Sequence, residues 1–124
     1  MVFNNIMISL SLDSIRSFCI KNTGKTQDIQ IAGHNIQFDV AFLKRLFSEQ
    51  KRSISSLFYH WMIDTFSILR FLVDSERLDI SPVSSAKAFR KFSIHVEERH
   101  SALGDAVATA KLYAELIKYI TLPQ

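Results

Sequence analysis

The sequence predicts an α/β fold in which helices cover a small parallel sheet. Short β-branched or aromatic runs alternate with longer segments whose apolar residues recur at helical spacing, and this alternation is typical of parallel strands joined by helices. A chain of 124 residues is long enough for one domain with a hydrophobic core. Hydrophobic residues make up 48% of the chain, which indicates a folded protein.

The predicted elements follow in chain order after eight residues that fit no single element. They are a helix at residues 11–22, a polar turn at 25–28, a strand at 29–32, a helix from 39, a basic loop at 50–56, a strand at 58–63, a helix at 65–73, a helix from 81 to about 92 and a helix from about 103 to 120.

In the first half of the chain, the boundaries rest on caps and breakers. Ser11 is a candidate cap for the first helix, and the polar run 22–24, which ends in glycine, supplies its stop. Gly33 ends the first strand. The helix that Asp39 opens has an apolar side, made of Phe42, Leu43, Leu46 and Phe47.

In the second half of the chain, residue type and the spacing of apolar residues indicate the predicted elements. Residues 58–63 are aromatic and β-branched, as strands are. Pro82 near a first turn favours a helix start at Ser81. The last helix is the clearest, because apolar residues recur at spacings of four and three in one continuous stripe. The stripe consists of Leu103, Val107, Ala110, Ala114 and Ile117.

Net charge and cysteine content limit which partners, disulfides and metal sites the chain can have. A net charge of +3 is compatible with a nucleic-acid partner, although the basic residues are scattered along the sequence. Cys19 is the single cysteine, which excludes an internal disulfide and a zinc site on paired cysteines. We therefore expect a cytoplasmic protein. No leader peptide and no apolar run of roughly 18 residues is expected, so no membrane partner is predicted.

One candidate site lies at the end of the first strand, in Gly33-His34-Asn35-Ile36-Gln37-Phe38-Asp39. A carboxylate that follows a strand and leads into a helix stands where α/β sheets place their ligands. His34 and Asn35 add polar groups there, and Gly33 allows close backbone approach. The alternative is that Asp39 is a plain helix N-cap.

A second candidate site is Glu98-Arg99-His100-Ser101-Ala102-Leu103-Gly104-Asp105-Ala106. Within one helix, His100 and Asp105 would be separated by roughly 140° around the axis and would not converge. They converge if His100 precedes the helix, Ser101 caps it and Asp105 lies in its first turns. The alternative for Asp105 is an acidic residue placed there by the helix dipole.

In order, spacing and flanking apolar residues, the two strings resemble the second and third motifs of the DEDDh exonucleases, a 3'→5' nuclease family that includes proofreading subunits. Ile63-Asp64-Thr65 also fits the family pattern, in which Asp-Thr follows the next strand. Asp64 either contacts substrate or caps the helix from Thr65. The resemblance covers residues 29–120 and implies a ribonuclease-H-like fold.

The resemblance also implies a mechanism and its residues. Family members use two divalent metal ions, Mg²⁺ or Mn²⁺, held by four carboxylates. Carried over, Asp39 and Asp105 are metal ligands and His100 is the general base. The expected substrate contacts are His34, Asn35 and Phe38. Implied partners are the 3' end of single-stranded nucleic acid, and a polymerase or a second chain. By contrast, His60, His95 and Trp61 are expected to have packing or surface roles.

One family motif is absent. No Asp-x-Glu precedes Asp39, and the triplet Asp74-Ser75-Glu76 is no substitute, because it ends a predicted helix and follows the second motif. We therefore expect residues 1–124 to be a single partial exonuclease domain without its first three strands. A misassigned start, a split gene or a decayed copy would each produce one. The alternatives are an inactive nucleic-acid-binding or regulatory remnant, and a purely structural module.

Overall fold

The computed structural model describes the backbone of residues 2–98 and 101–123 and the side chains from residue 11 onward in those ranges. This part of the chain is α/β, with five helices and a small two-stranded parallel sheet, which confirms the predicted class. The helices are α1 (Val2–Thr23), α2 (Gln37–Glu49), α3 (Thr65–Asp74), α4 (Ser85–Lys91) and α5 (Ala102–Thr121), and the strands are β1 (Ala32–Gly33) and β2 (Ile63–Asp64). None of the helices in the described ranges is both long enough and apolar enough to cross a bilayer.

The chain divides into two compact units. Unit 1 comprises Met1–Ile31 and Ile36–Ile63, and unit 2 comprises Ala32–Asn35 and Asp64–Gln124. Each unit has a hydrophobic cluster of its own.

The cluster of unit 1 joins α1, α2 and the segment after α2. Leu12 of α1 and Phe47 of α2 are fully buried in it, and the ring of Phe47 meets that of Phe58 edge-on at 6.1 Å. The guanidinium of Arg52 lies 5.9 Å from the centroid of the Phe47 ring, close enough for a cation–π interaction. Cys19 packs against this cluster, and burial raises the pKa of its thiol. Aromatic and aliphatic packing therefore holds unit 1 together.

Both predicted strands are shorter than expected, because the hydrogen bonds between the two segments fall out of step. Tyr59 N–H donates to the carbonyl of Ile29, and Ile63 N–H donates to that of Ile31, each at 2.9 Å. A regular parallel ladder advances two residues on both strands between such bonds. Here the first segment advances two residues and the second advances four. The two additional residues interrupt the ladder, and the region 58–63 splits into a bridge at Phe58 and the short strand β2.

The predicted starts of the first and fourth helices are wrong. Helix α1 begins at Val2 rather than at Ser11, because residues 2–10 contain neither glycine nor proline to interrupt it. Helix α4 begins at Ser85 rather than at Ser81, because the side chain of Ser84 accepts a hydrogen bond from the Lys87 N–H and caps the helix there. Local side-chain capping decides this boundary more strongly than the preceding Pro82.

The cluster of unit 2 is built on one face of α5, and this is not the face that the apolar stripe predicted. The buried residues of α5 are Ala108, Leu112 and Leu116, which pack with residues of α3 and α4. The members of the predicted stripe are all exposed, namely Leu103, Val107, Ala110, Ala114 and Ile117. Both sets recur at helical spacing. The helix is therefore apolar on two faces, of which unit 2 buries one.

Substituting one leucine on each apolar face of α5 tests which face is buried. Leu112 is 0% exposed and Leu103 is 74% exposed. We expect Leu112→Ala to lower the free energy of unfolding by about 2–5 kcal/mol, since it leaves a cavity in the core. The matched control, Leu103→Ala, is expected to change it by less than about 0.5 kcal/mol. Urea denaturation followed by circular dichroism measures both, and a larger loss for Leu103→Ala would contradict this assignment of the buried face.

Candidate functional site

The first candidate motif and the Asp-Thr pair form one hydrogen-bonded cluster in unit 2. The turn after β1 contains His34 and Asn35, and the start of α3 contains Asp64 and Thr65. The Asp64 carboxylate accepts from the Asn35 N–H at 2.7 Å. The Thr65 hydroxyl donates to the carbonyl of Gly33 at 3.2 Å and lies 3.0 Å from Nδ1 of His34. We call this set, residues 33–35 with 64–65, the strand-end cluster.

Thr65 and Phe66 contact the ring of His34. The hydroxyl has one proton, which it donates to the carbonyl of Gly33. Its oxygen therefore accepts from His34, which makes Nδ1 of the ring a donor. In the neutral imidazole this leaves the lone pair on Nε2. The edge of the ring also meets Phe66 at 5.7 Å. The contacts with Thr65 and Phe66 therefore orient the His34 ring.

Asp64 caps α3, as one of the two interpretations of this residue predicted. Its Oδ1 accepts from the Phe66 N–H at 3.0 Å, and its Oδ2 accepts from the Ser67 hydroxyl at 3.0 Å. With the bond from Asn35, the carboxylate accepts three hydrogen bonds. These satisfy one of the free amides of the first helical turn. The capping role is therefore confirmed.

The bond from the Asn35 N–H to Asp64 supports an unusual backbone conformation. The φ of Asn35 is 57°, in the left-handed region that residues other than glycine, asparagine and aspartate rarely adopt. Asparagine tolerates this conformation best after glycine, and the bond to Asp64 holds its N–H there. The Gly-His-Asn string thus encodes a tight turn.

The sequence did not identify Thr65 as part of the cluster, although Thr65 is fully buried and bonds both to the turn and to His34.

The other half of the first motif belongs to unit 1. Asp39 lies in the first turn of α2, whose N-cap is Ile36 without a side-chain cap bond. The plain N-cap interpretation of Asp39 is therefore wrong by three residues, because the helix begins earlier than predicted. Asp39 is exposed, and so is Phe38 at 69%. A first-turn carboxylate still interacts favourably with the helix dipole.

The second motif surrounds the start of α5 in unit 2. Ser101 is the N-cap, as predicted, and its hydroxyl accepts from the Gly104 N–H at 2.9 Å. Asp105 is half-buried in the first turn. His100 lies outside the described residues.

Gly104 of this motif has a packing reason. A Cβ at that position would lie 2.5 Å from the carbonyl oxygen of Glu97 and 2.8 Å from that of Glu98. The backbone before α5 passes so close to its first turn that only glycine fits.

Unit 2 contains part of the predicted site. Helix α5, which carries Asp105, contacts β1, the strand that leads into His34 and Asn35. The other predicted ligand, Asp39, belongs to unit 1. Over residues 2–98 and 101–123, no group of three or more histidine, cysteine, aspartate or glutamate side chains is arranged to hold a metal ion.

The strand-end cluster makes a stability prediction. We expect Asp64→Ala to lower the free energy of unfolding by about 1–3 kcal/mol, because it removes the cap of α3 and leaves the Asn35 N–H without its acceptor. Asp64→Asn keeps one acceptor oxygen and should lose less. Asp79, which is exposed, gives the control Asp79→Ala, with an expected change within about 0.5 kcal/mol. Equal midpoints of urea unfolding for Asp64→Ala and Asp79→Ala would contradict this role.

Comparison with known proteins adds no relative from which a role can be transferred. No protein-family model, no curated protein and no solved structure matches the chain.

Proposed function

We propose that the chain is part of a metal-dependent 3'→5' exonuclease domain of the DEDDh type, acting on the 3' end of DNA or RNA. The observation that carries the proposal is the joint occurrence of three strings in family order: residues 33–39, 63–65 and 100–105. The hydrogen bonds between the first string and the second support it, because they place two separate stretches of sequence in one cluster. The proposed fold is the ribonuclease-H-like one, in a cytoplasmic protein.

In this proposal, Asp39 and Asp105 each contribute a carboxylate oxygen, the type of ligand that Mg²⁺ or Mn²⁺ prefers. Two such ions, when bound, stabilise negative charge on the phosphate and on the leaving oxygen. His100 accepts a proton from the attacking water as general base. The exposed ring of Phe38, with His34 and Asn35 of the strand-end cluster, contacts the terminal nucleotide.

The donor set is only half of what the ions require. A pair of ions in this family is held by four carboxylates, and the described residues contain no group of three or more ligating side chains. The two further carboxylates would come from an Asp-x-Glu motif on a second chain or on another segment. Activity of this chain by itself therefore depends on ligands supplied from elsewhere.

That incomplete set favours one alternative, a nucleic-acid-binding or regulatory protein descended from such an exonuclease. Such a protein binds single strands and does not cleave them. A purely structural module leaves Phe38 and Asp39 unexplained, because neither contributes to the hydrophobic clusters of the fold.

The experiment is an exonuclease assay on 5'-labelled single-stranded DNA and RNA with Mn²⁺. We expect products shortened stepwise from the 3' end, and a rate reduced by roughly 100-fold or more in Asp105→Ala and Asp39→Ala, since each removes a ligand of the charge-stabilising ions. Asp79→Ala is the matched control and should retain the wild-type rate. EDTA should abolish cleavage.

A folded wild-type chain that binds the strands without shortening them would contradict the exonuclease proposal and favour the binding alternative. Cleavage that persists in Asp105→Ala would point to a contaminating nuclease. Circular dichroism of each variant establishes that it is folded before its rate is compared.

A further inference from the structure

Three consecutive aromatic side chains form a surface cluster in unit 1. The ring of Tyr59 lies 4.5 Å from that of His60 and 5.8 Å from that of Trp61, and the rings of His60 and Trp61 are 5.3 Å apart. We call these three residues the aromatic platform. The sequence predicted only packing or surface roles for His60 and Trp61. Their mutual contacts make them parts of one site.

The backbone fixes the platform at both ends. Tyr59 N–H is bonded to the carbonyl of Ile29, and Ile63 N–H is bonded to that of Ile31. The two additional residues between these bonds make the chain bulge away from the ladder, and His60 and Trp61 lie in that bulge. A bulge within paired segments re-aims side chains while its flanks stay fixed. The platform is therefore presented by a short segment anchored on both sides.

Trp61 is not used by the core. Its side chain is 67% exposed, and it packs in neither hydrophobic cluster. Tryptophan gains more than most residues from burial, so an exposed one that is held in place by neighbouring rings marks a binding surface. Its flat, apolar ring face suits a ligand that is itself flat and aromatic.

The charge of unit 1 indicates the class of ligand. Unit 1 contains seven Lys or Arg residues against four Asp or Glu residues, and unit 2 contains eight of each, so unit 1 carries the whole formal charge of +3. Net positive charge together with exposed aromatic rings is the combination that binds single-stranded nucleic acid, because phosphates interact with cations and bases stack on rings.

We propose that this aromatic platform binds a base of single-stranded nucleic acid by stacking on the exposed ring of Trp61, which the inclined rings of Tyr59 and His60 hold in place. The platform is separate from the motif residues. The ligand class rests on the proposed function, and the platform itself rests on the ring contacts and the charge. Every base has a π-face, so the platform takes DNA and RNA alike and does not select a sequence.

The chain offers a direct readout, because Trp61 is its only tryptophan. Intrinsic fluorescence is titrated in EDTA, which prevents cleavage, with an oligothymidylate of about 12 nucleotides, the corresponding oligouridylate, and an abasic strand of equal length and charge. We expect both base-containing strands to quench the fluorescence and to bind more tightly than the abasic strand. Stacking, unlike phosphate contact, requires the base.

Variants locate the effect. By anisotropy of labelled strands, Trp61→Ala should bind the thymidylate roughly fivefold to 150-fold more weakly, the range for one lost stacked base, and the abasic strand equally well. Trp61→Phe keeps an aromatic ring and should retain most of the affinity. Phe71→Ala is the matched control, because Phe71 is 70% exposed and belongs to unit 2, and its affinity should be unchanged.

The failures are distinguishable. Equal affinity for abasic and base-containing strands would overturn the platform and leave nucleic-acid binding intact. Self-association in sedimentation that Trp61→Ala abolishes, without any preference for bases, would also overturn it, in favour of a protein contact. Base-dependent binding without cleavage in Mn²⁺ would support the platform and count against the exonuclease.

Discussion

The hydrogen bonds that Asp64 and Thr65 make to residues 33–35 are the constraint on which unit 2 depends. Strands of two residues supply few ladder bonds, so the ends of β1 and β2 need other ties. Asp64 holds the N–H of the left-handed Asn35 and caps α3 with the same oxygen. Thr65, fully buried, bonds the carbonyl of Gly33 and the ring of His34. A buried polar group without its partner costs about 1–3 kcal/mol. The turn after β1 and the first turn of α3 are therefore ordered together.

The motif residues are of two kinds: those that caps and packing explain, and those that they do not. Asp64, Ser101 and Gly104 have complete structural explanations, as two caps and one close backbone approach, so their presence alone says little about function. Phe38 and Asp39 are different. Both are exposed and outside the hydrophobic clusters, and the fold gains little from an exposed ring in particular. Phe38 and Asp39 are therefore the motif residues that packing and capping explain least.

Helix boundaries were predictable from the sequence wherever a few neighbouring side chains determine them. The cap at Ser101, the helix that starts at Thr65 and the stop of α1 at residues 22–24 each follow from a few neighbouring side chains. The face of α5 was not predictable, because Ala108, Leu112 and Leu116 recur at the same spacing as the exposed stripe, and periodicity cannot choose between two apolar faces. The interruption of the strand at residues 58–63 was not predictable either. It depends on the register between two segments distant in sequence, and the exposure of Trp61 follows from that register.

Binding and cleavage, as proposed, depend on different interactions. Binding draws on the positive charge of unit 1 and on ring faces, and neither requires a metal ion. Cleavage requires carboxylates, which carry the same charge as the phosphates they act on, so they repel the substrate until cations neutralise them. When the two further carboxylates are not supplied, cleavage is lost and binding is retained. An incomplete exonuclease of this type is therefore expected to remain a competent single-strand binder. For this reason, binding alone cannot decide between the enzyme and its inactive descendant, whereas dependence on Asp39 and Asp105 in the presence of Mn²⁺ does.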